Sequence, residues 1–348
     1  MYRKVLFVTD WQKIDITKFE TDRTSKSIVQ FELEHWSCKK KLNNNLLYRW
    51  YCYFNGAVYL ICNRKKYDTI IIWQQMIGFV YFIINFFLPF TRHKNVVVTT
   101  ILFTTNKNGI YGSVQKILIQ LSLRYAKGLI WFSSQMANDV RNSFPDHELK
   151  IFNTKMPVFS KMKTNKLNNK IYDPRFNNGI FCGGKSFRDF NIVIKAFKDT
   201  NIPLTIVCTD NEKITEKNIT GNIRILRFSE VPPDQYYALL DKSFCTVVSL
   251  KDDKSSCGQL TFSYAMGNGI PVIATNSYGV RDYVKDRQTG LLFSLGKSDE
   301  IRSAYDNLRS DVDFKNQIIE NARKIDNIMT PKGFVEHVIL LTQVKFSK

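Results

Sequence analysis

Short apolar runs, separated by longer stretches of helical period, repeat along almost the whole chain. The first run, Lys4–Thr9, is apolar without interruption from Val5 to Val8 and predicts a buried strand. Ser27–Trp36 alternates at Val29, Phe31 and Leu33 and predicts a second strand. Thr69–Trp73, the β-branched run Asn95–Phe103 and Gly128–Phe132 continue the series. Between them, Asn45–Cys62 has a broad apolar face of helical period. Ser113–Lys127 reads as an amphipathic helix with Ile117, Leu121 and Tyr125 on one face and Gly128 as its stop. Ser133 or Ser134 caps a further helix that ends before Pro145. Beyond Asn178 the alternation resumes. Strands are predicted at Gly179–Cys182, Leu204–Cys208, Ile223–Leu226, Cys245–Leu250 and Ile270–Ala274, with helices at Ile192–Lys198 and Pro233–Asp241. Three helices close the chain, near Asp299–Arg309, Asp313–Asn327 and Pro331–Val344. Strands alternating with helices predict an α/β protein.

The periodicity lapses once. From Asn153 to Asn178 the chain holds Pro157, Pro174 and five lysines, and residues 156–178 read as an inter-domain linker. A first domain then covers 1–155 and a second 179–330. A length of 348 residues suffices for two α/β domains with full cores.

Thr69–Phe90 is apolar enough to test for a membrane span. Gln74, Gln75, Gly78 and Asn85 interrupt it, and Met76–Ile84 falls well short of the roughly 20 residues a span needs. The stretch reads instead as the strand Thr69–Trp73, a turn, and a hydrophobic helix over about Ile77–Phe87 that ends before Pro89. The opening Met-Tyr-Arg-Lys leads straight into the first strand and leaves no room for a signal peptide. Seven cysteines include no C-x-x-C pair, and their apolar contexts read as reduced, buried thiols of a cytoplasmic protein. The four histidines show no ligand spacing, so neither a metal nor another cofactor is expected.

Charge changes the picture of the first half. The net charge is +19, and residues 1–160 hold 22 Lys/Arg against 10 Asp/Glu. Lys39–Lys41 and Arg64–Lys66 flank the aromatic run Trp50, Tyr51, Tyr53 and Phe54. Cations beside aromatics suit an anionic membrane surface, and equally the phosphates of a nucleic acid. No nucleic-acid-binding motif accompanies them, which speaks against the second partner.

The stretch richest in chemistry is Ser255–Gly279. Small polar residues through Gly258 form a loop that feeds a short helix, closed by Gly267 and Gly269. A loop at a helix N-terminus offers unpaired N–H groups and a positive dipole end, which suit a phosphate. Gly183-Gly184-Lys185-Ser186-Phe187-Arg188 is a second glycine turn before a helix. A fork from Arg188 and a point charge from Lys185 could grip a diphosphate there. The plain alternative for both is a βαβ turn that binds nothing.

The run Tyr264-Ala-Met-Gly-Asn-Gly-Ile-Pro-Val-Ile-Ala-Thr275, continued by Tyr278–Val284 and Thr289–Phe293, resembles the donor-site signature of family 4 (group 1) glycosyltransferases. The resemblance implies a GT-B fold, with two Rossmann-like domains whose parallel sheets face a central cleft. It also implies that 331–348 packs back on the first domain. Its donor residues would be Gly184, Glu230, Val231, Ser256, Cys257, Gly258, Gln259, Leu260 and Tyr264, with Lys185 and Arg188 stabilising the leaving diphosphate. Asp10 and Trp11, after the first strand, are the acceptor-side candidates. The chain departs from the signature where the family has two glutamates. Ser256 and Tyr264 stand in their places and supply no carboxylate, although Tyr264 retains one hydroxyl for a ribose. The implied activity is transfer of a sugar from a nucleotide sugar, with retention of configuration. The acceptor would be an oligosaccharide or lipid-linked saccharide, as in capsule or O-antigen assembly on the inner face of the cell membrane. The alternatives are a non-catalytic subunit of the same fold and a basic nucleic-acid-binding protein.

Overall fold

The computed structural model describes residues 3–9, 30–38, 46–103, 105, 109–157, 167–168, 171–217, 219–326 and 331–343. The chain divides into two units, Met1–Lys155 with Pro331–Lys348, and Met156–Thr330.

The first unit is built on six parallel strands: β1 (Arg3–Thr9), β2 (Phe31–Ser37), β3 (Thr69–Ile72), β4 (Val96–Val98), β5 (Gly128–Trp131) and β6 (Ile151–Asn153). They lie in the order β2-β1-β3-β4-β5-β6. Every residue of β3, β4 and β5 is buried, which is why these strands read as continuous apolar runs. From β2 onward each connection advances the same way across the sheet. Right-handed crossovers therefore put α1 (Leu46–Asn63), α2 (Gln75–Phe87), α3 (Gly109–Tyr125) and α4 (Ser134–Ser143) on one face. Ser133 caps α4, its hydroxyl accepting from Met136 N–H. The helix Pro331–Gln343 belongs to this unit. Its Phe334 ring packs on Trp73 and Phe132, at 5.5 and 6.1 Å between centroids.

The three-residue edge strand β6 has no counterpart in the sequence reading, and two further elements differ from that reading. The β-branched run after Asn95 is strand only over Val96–Val98, because Thr100 turns to φ +53° and the backbone leaves the sheet. In α3 the buried positions are Gly112, Gln115, Ile119, Ser122 and Leu123, whereas Ile117 is exposed.

The second unit carries a second parallel sheet: β7 (Ile180–Gly183), β8 (Leu204–Cys208), β9 (Ile223–Arg227), β10 (Cys245–Val248), β11 (Val272–Thr275) and β12 (Leu291–Phe293). Their order is β12-β11-β10-β7-β8-β9. The connecting helices are α5 (Phe190–Phe197), α6 (Pro233–Asp241), α7 (Gln259–Gly267) and α8 (Tyr278–Arg281). Then come α9 (Ser298–Ser310) and α10 (Val312–Asp326), with α11 the Pro331–Gln343 helix of the first unit. Phe190, Val193 and Phe197 of α5 pack with Ile301 and Leu308 of α9 over Ile206 and Val247 in the core of this unit. The described parts of 156–178, read from the sequence as a linker, cluster with this unit. Met156 N–H donates to the Tyr283 hydroxyl, and Arg224 donates to the Ile171 carbonyl at 2.9 Å.

The cysteine expectation needs correcting. Cys38 and Cys52 form a disulfide, and Cys62 is exposed; Cys182, Cys208, Cys245 and Cys257 are buried free thiols. Cys38 follows β2 and Cys52 lies in α1, which returns over the same edge of the sheet and brings the Cα atoms to 5.9 Å. Among the described residues no helix is long and apolar enough to cross a membrane, and no three His, Cys, Asp or Glu side chains gather as metal ligands.

Burial lowers the pKa of His35, His93 and His337, all in the first unit, below the free value of 6.5. His93 accepts from Asn95 N–H at Nδ1, and its Nε2 meets the Tyr67 carbonyl at 2.9 Å. These rings take up protons more readily in the unfolded chain. Their contribution to stability is therefore complete above 6.5 and is lost as the pH falls below it through the folded values. The Tm of the first unit should fall between about pH 7 and pH 5, and His93→Gln should flatten part of that slope. Calorimetric scans across this range check it; an unchanged slope in the variant would remove His93 from the account.

Candidate functional site

In the second unit the chain leaves β7 toward β8 and β9, then returns to the other side of β7 for β10, β11 and β12. Such a reversal opens a crevice beyond the carboxyl ends of β7 and β10, where open α/β sheets bind their ligands. Two loops emerge there, Gly184–Asp189 after β7 and Ser249–Gly258 after β10. Backbone bonds zip them together: Asp189 N–H donates to Ser249 O at 3.2 Å and Lys251 N–H to Phe187 O at 2.9 Å. Arg188 and Leu250 form an antiparallel bridge between the same loops.

Arg188 is the centre of this arrangement. It is only 5% exposed. Its Nε donates to the Gly183 carbonyl at 3.1 Å and its Nη1 to the Ser186 carbonyl at 3.0 Å. Two glycines make room for it. A Cβ on Gly184, at φ +145°, would lie 2.5 Å from Arg188 Nε. One on Gly258, at φ +98°, would lie 2.8 Å from Val248 and 3.4 Å from Arg188 Nη2. Gly258 is also the N-cap of α7, so the buried guanidinium stands beside the first N–H groups of that helix. Among the described residues no carboxylate lies within ion-pair distance of it. Its charge is felt nearby. Burial pushes the Cys182 thiol up to about 12 and also raises Cys257, with Arg188 opposing the shift at both.

The other predicted residues separate into groups. Lys185 is exposed on the glycine turn, with its Nζ 4.6 Å from the centre of the Phe228 ring. Phe228 in turn stacks on Tyr236 at 5.6 Å. Ser256, Cys257 and Gln259 are buried in the loop and the first turn of α7, where Gln259 donates to the Ser256 hydroxyl; Leu260 is exposed. Glu230 follows β9, and its carboxylate accepts from Arg227 N–H at 2.8 Å. Val231 beside it is buried. Tyr264 lies further along α7, where its hydroxyl donates to the Asp241 carboxylate at 3.0 Å and its ring leans on Tyr237 at 4.3 Å. The site therefore unites Gly184, Lys185 and Arg188 with Cys257 and Gly258, while Tyr264 joins α7 to the end of α6. Asp10 and Trp11 lie outside the described residues.

Three neighbours escaped the sequence reading. Phe228 carries the Lys185 ammonium. Tyr236 supports Phe228 and shares a hydrogen bond with Thr261 at 2.9 Å. Only Phe228 had a local signal, two residues before Glu230 in the β9–α6 turn; Tyr236 in α6 and Thr261 in α7 meet through the packing of those helices.

Comparison with known proteins bears on the fold and on the second unit. Residues 188–325 match the family described as Glycosyl transferases group 1. No curated protein sequence matches the chain. Among solved structures, HepE of Anabaena in complex with UDP and glucose is 16% identical, with a TM-score of 0.70 over 98% of this chain and 99% of that one. Sucrose-phosphate synthase of Thermosynechococcus elongatus is 13% identical, with a TM-score of 0.67 over 98% of both chains. The lipopolysaccharide outer core galactosyltransferase WaaB is 13% identical, with a TM-score of 0.59 over 97% and 99%. These likenesses establish the GT-B fold, and the segment similar to group 1 glycosyl transferases lies in the second unit.

Removing the Tyr264 hydroxyl separates its structural from its ligand role. Tyr264→Phe loses a bond to a solvent-exposed carboxylate and should cost about 1 kcal/mol of stability in urea denaturation, with nucleotide affinity unchanged. A loss of affinity at full stability would instead give the hydroxyl to the ligand.

Proposed function

We propose that this glycosyltransferase, with its group 1 domain over residues 188–325, moves a sugar from a uridine nucleotide sugar to a hydroxyl of an oligosaccharide or lipid-linked acceptor. The observation that carries the reading is the buried Arg188 guanidinium at the N-terminus of α7, with two carbonyls as its hydrogen-bond partners and no counter-charge among the described residues. An ion withdrawn from water needs compensation on the order of several kcal/mol, and a diphosphate between Arg188 and the α7 N–H groups supplies it.

In this reading each residue acts on the leaving group. Arg188 and the Gly258–Leu260 backbone neutralise charge that grows on the diphosphate as the glycosidic bond breaks. Lys185, held over Phe228, adds a second cation from the exposed side of the turn. Such groups accelerate the reaction because they bind the charge more strongly in the transition state than in the donor. The sugar leaves with retained configuration. Surface polysaccharide assembly at the inner face of a membrane is the setting. The likeness to UDP-bound HepE supports a uridine donor, and the likeness to WaaB supports an acceptor carried on a lipopolysaccharide-like lipid. A second reading, nucleotide binding without turnover, draws on Ser256 and Tyr264, which leave the donor-site motif without its two carboxylates.

A thermal-shift series against UDP, GDP, ADP, CMP and dTDP tests the proposal. UDP at about a hundred times its Kd should add roughly 2.7 kcal/mol of stability. Lys185→Ala should weaken that shift while the unliganded Tm stays the same. Failure of every nucleotide to raise the Tm would sink the donor site. A UDP shift with no release of UDP from UDP-sugars in the presence of acceptor lipid extract would favour the second reading.

A further inference from the structure

Between Glu34 and Asp139 the chain contains thirteen Lys and Arg and one acidic residue, Asp68. The helices α1, α2 and α3, which pack side by side on the first sheet, contain no carboxylate at all. An ordinary solvated helical layer mixes both signs of charge along its outer faces. This layer instead carries aromatic and aliphatic side chains there. Phe86 and Phe87 end α2 with 51% and 72% of their surface exposed, and Phe90 follows at 75%. On α3, Ile110, Val114 and Ile117 form an exposed stripe at helical spacing, and Trp50 and Phe54 are exposed on α1.

Local contacts brace the segment that carries the phenylalanines. The rings of Phe86 and Phe87 meet edge to face at 5.1 Å. Phe90 lies in the turn Pro89–Thr91, where the buried Thr91 hydroxyl contacts Asn85 Oδ1 at 2.7 Å and the Leu88 carbonyl at 2.6 Å. The cations are tied to the same turn. Arg64, directly after α1, donates to the Phe90 carbonyl at 3.0 Å, and Lys65 and Lys66 beside it are exposed. Arg92 lies over the Tyr125 ring at 4.2 Å, at the end of α3.

We propose that this face of the first unit docks on an anionic lipid bilayer, with Phe86, Phe87 and Phe90 entering the headgroup region and Arg64, Lys65 and Lys66 on lipid phosphates. The two halves of the cluster ask for different media. The rings gain by leaving water for acyl chains, and the ammonium and guanidinium groups gain by meeting surface phosphate. A bilayer interface offers both within a few ångströms, and aromatic side chains concentrate there. A nucleic acid backbone offers phosphate but no apolar phase for an aliphatic stripe. A second copy of the same face would bring like charges together. The inference deepens the lipid-acceptor reading above and rests on it for its biological setting alone.

Sedimentation of the full chain with vesicles of phosphatidylcholine, with and without phosphatidylglycerol, tests the proposal. Partition should rise at least about tenfold with the anionic lipid and fall with salt. The triple variant Phe86→Ser, Phe87→Ser, Phe90→Ser should lose about tenfold in partition, and Lys65→Glu with Lys66→Glu should remove the preference for anionic lipid. Circular dichroism, the Tm and the UDP-induced shift should match the parent protein in both variants. The proposal is overturned if the parent stays in the supernatant, if the folded variants sediment like the parent, or if RNA binds where vesicles do not. Vesicle binding without any nucleotide shift would sink the transferase reading and leave the docking face standing. A nucleotide shift without vesicle binding would do the reverse.

Discussion

A guanidinium buried without a carboxylate is the constraint on which the second unit turns. Carbonyl dipoles from Gly183 and Ser186 stabilise Arg188 in part, but a full positive charge in a low-dielectric setting still lacks its counter-ion among the described residues. Much around it serves to keep it there. The strand order sets β7 beside β10, and the backbone bonds from Phe187 and Asp189 to Lys251 and Ser249 close one loop onto the other. Gly184 and Gly258 remove the two side chains that would collide with the guanidinium or its neighbours. The N-terminus of α7 adds further positive potential to a place that already holds a cation. That repulsion is sustained by the fold.

The two units divide the chemistry unequally. The second unit mixes acids and bases on its helices, as in the Arg302–Asp306 pair of α9. The first unit is without carboxylates across α1, α2 and α3 and leaves large apolar side chains in water. Both sheets are buried on two faces and need similar apolar strands. The difference is confined to the outer helix surfaces, where folding imposes little and binding can impose much.

The proposed sugar transfer leans on cations and backbone N–H groups, because Ser256 and Tyr264 carry no negative charge. Tyr264 is drawn into the scaffold: its ring meets Tyr237 and its hydroxyl meets Asp241, so the position that carries a glutamate in the family's signature here fastens α7 to α6. The cations proposed to face the leaving diphosphate are untouched by this change, since Lys185 and Arg188 belong to the loop after β7.

Local physics made most of the architecture legible. Apolar runs such as Ile70–Ile72 and Thr246–Val248 are buried on both faces, and that alone makes them continuous in sequence. Gly258 before an apolar helix announced a helix start, where N–H groups are unpaired in any context. What depended on distant residues could not be read in advance. The Cys38–Cys52 bond arises because α1 folds back over the end of β2. Asp241 meets Tyr264 because α6 and α7 lie together, and Ile117 faces water because the sheet takes the opposite side of α3. The amino-acid order by itself determined the elements, their alternation and the two glycine turns, since these follow from spacings within a few residues. Only the tertiary structure decided that Arg188 is buried without an ion pair among the described residues and that α1, α2 and α3 share one carboxylate-free layer, because burial and charge pairing are set by which distant segments the sheet order brings together.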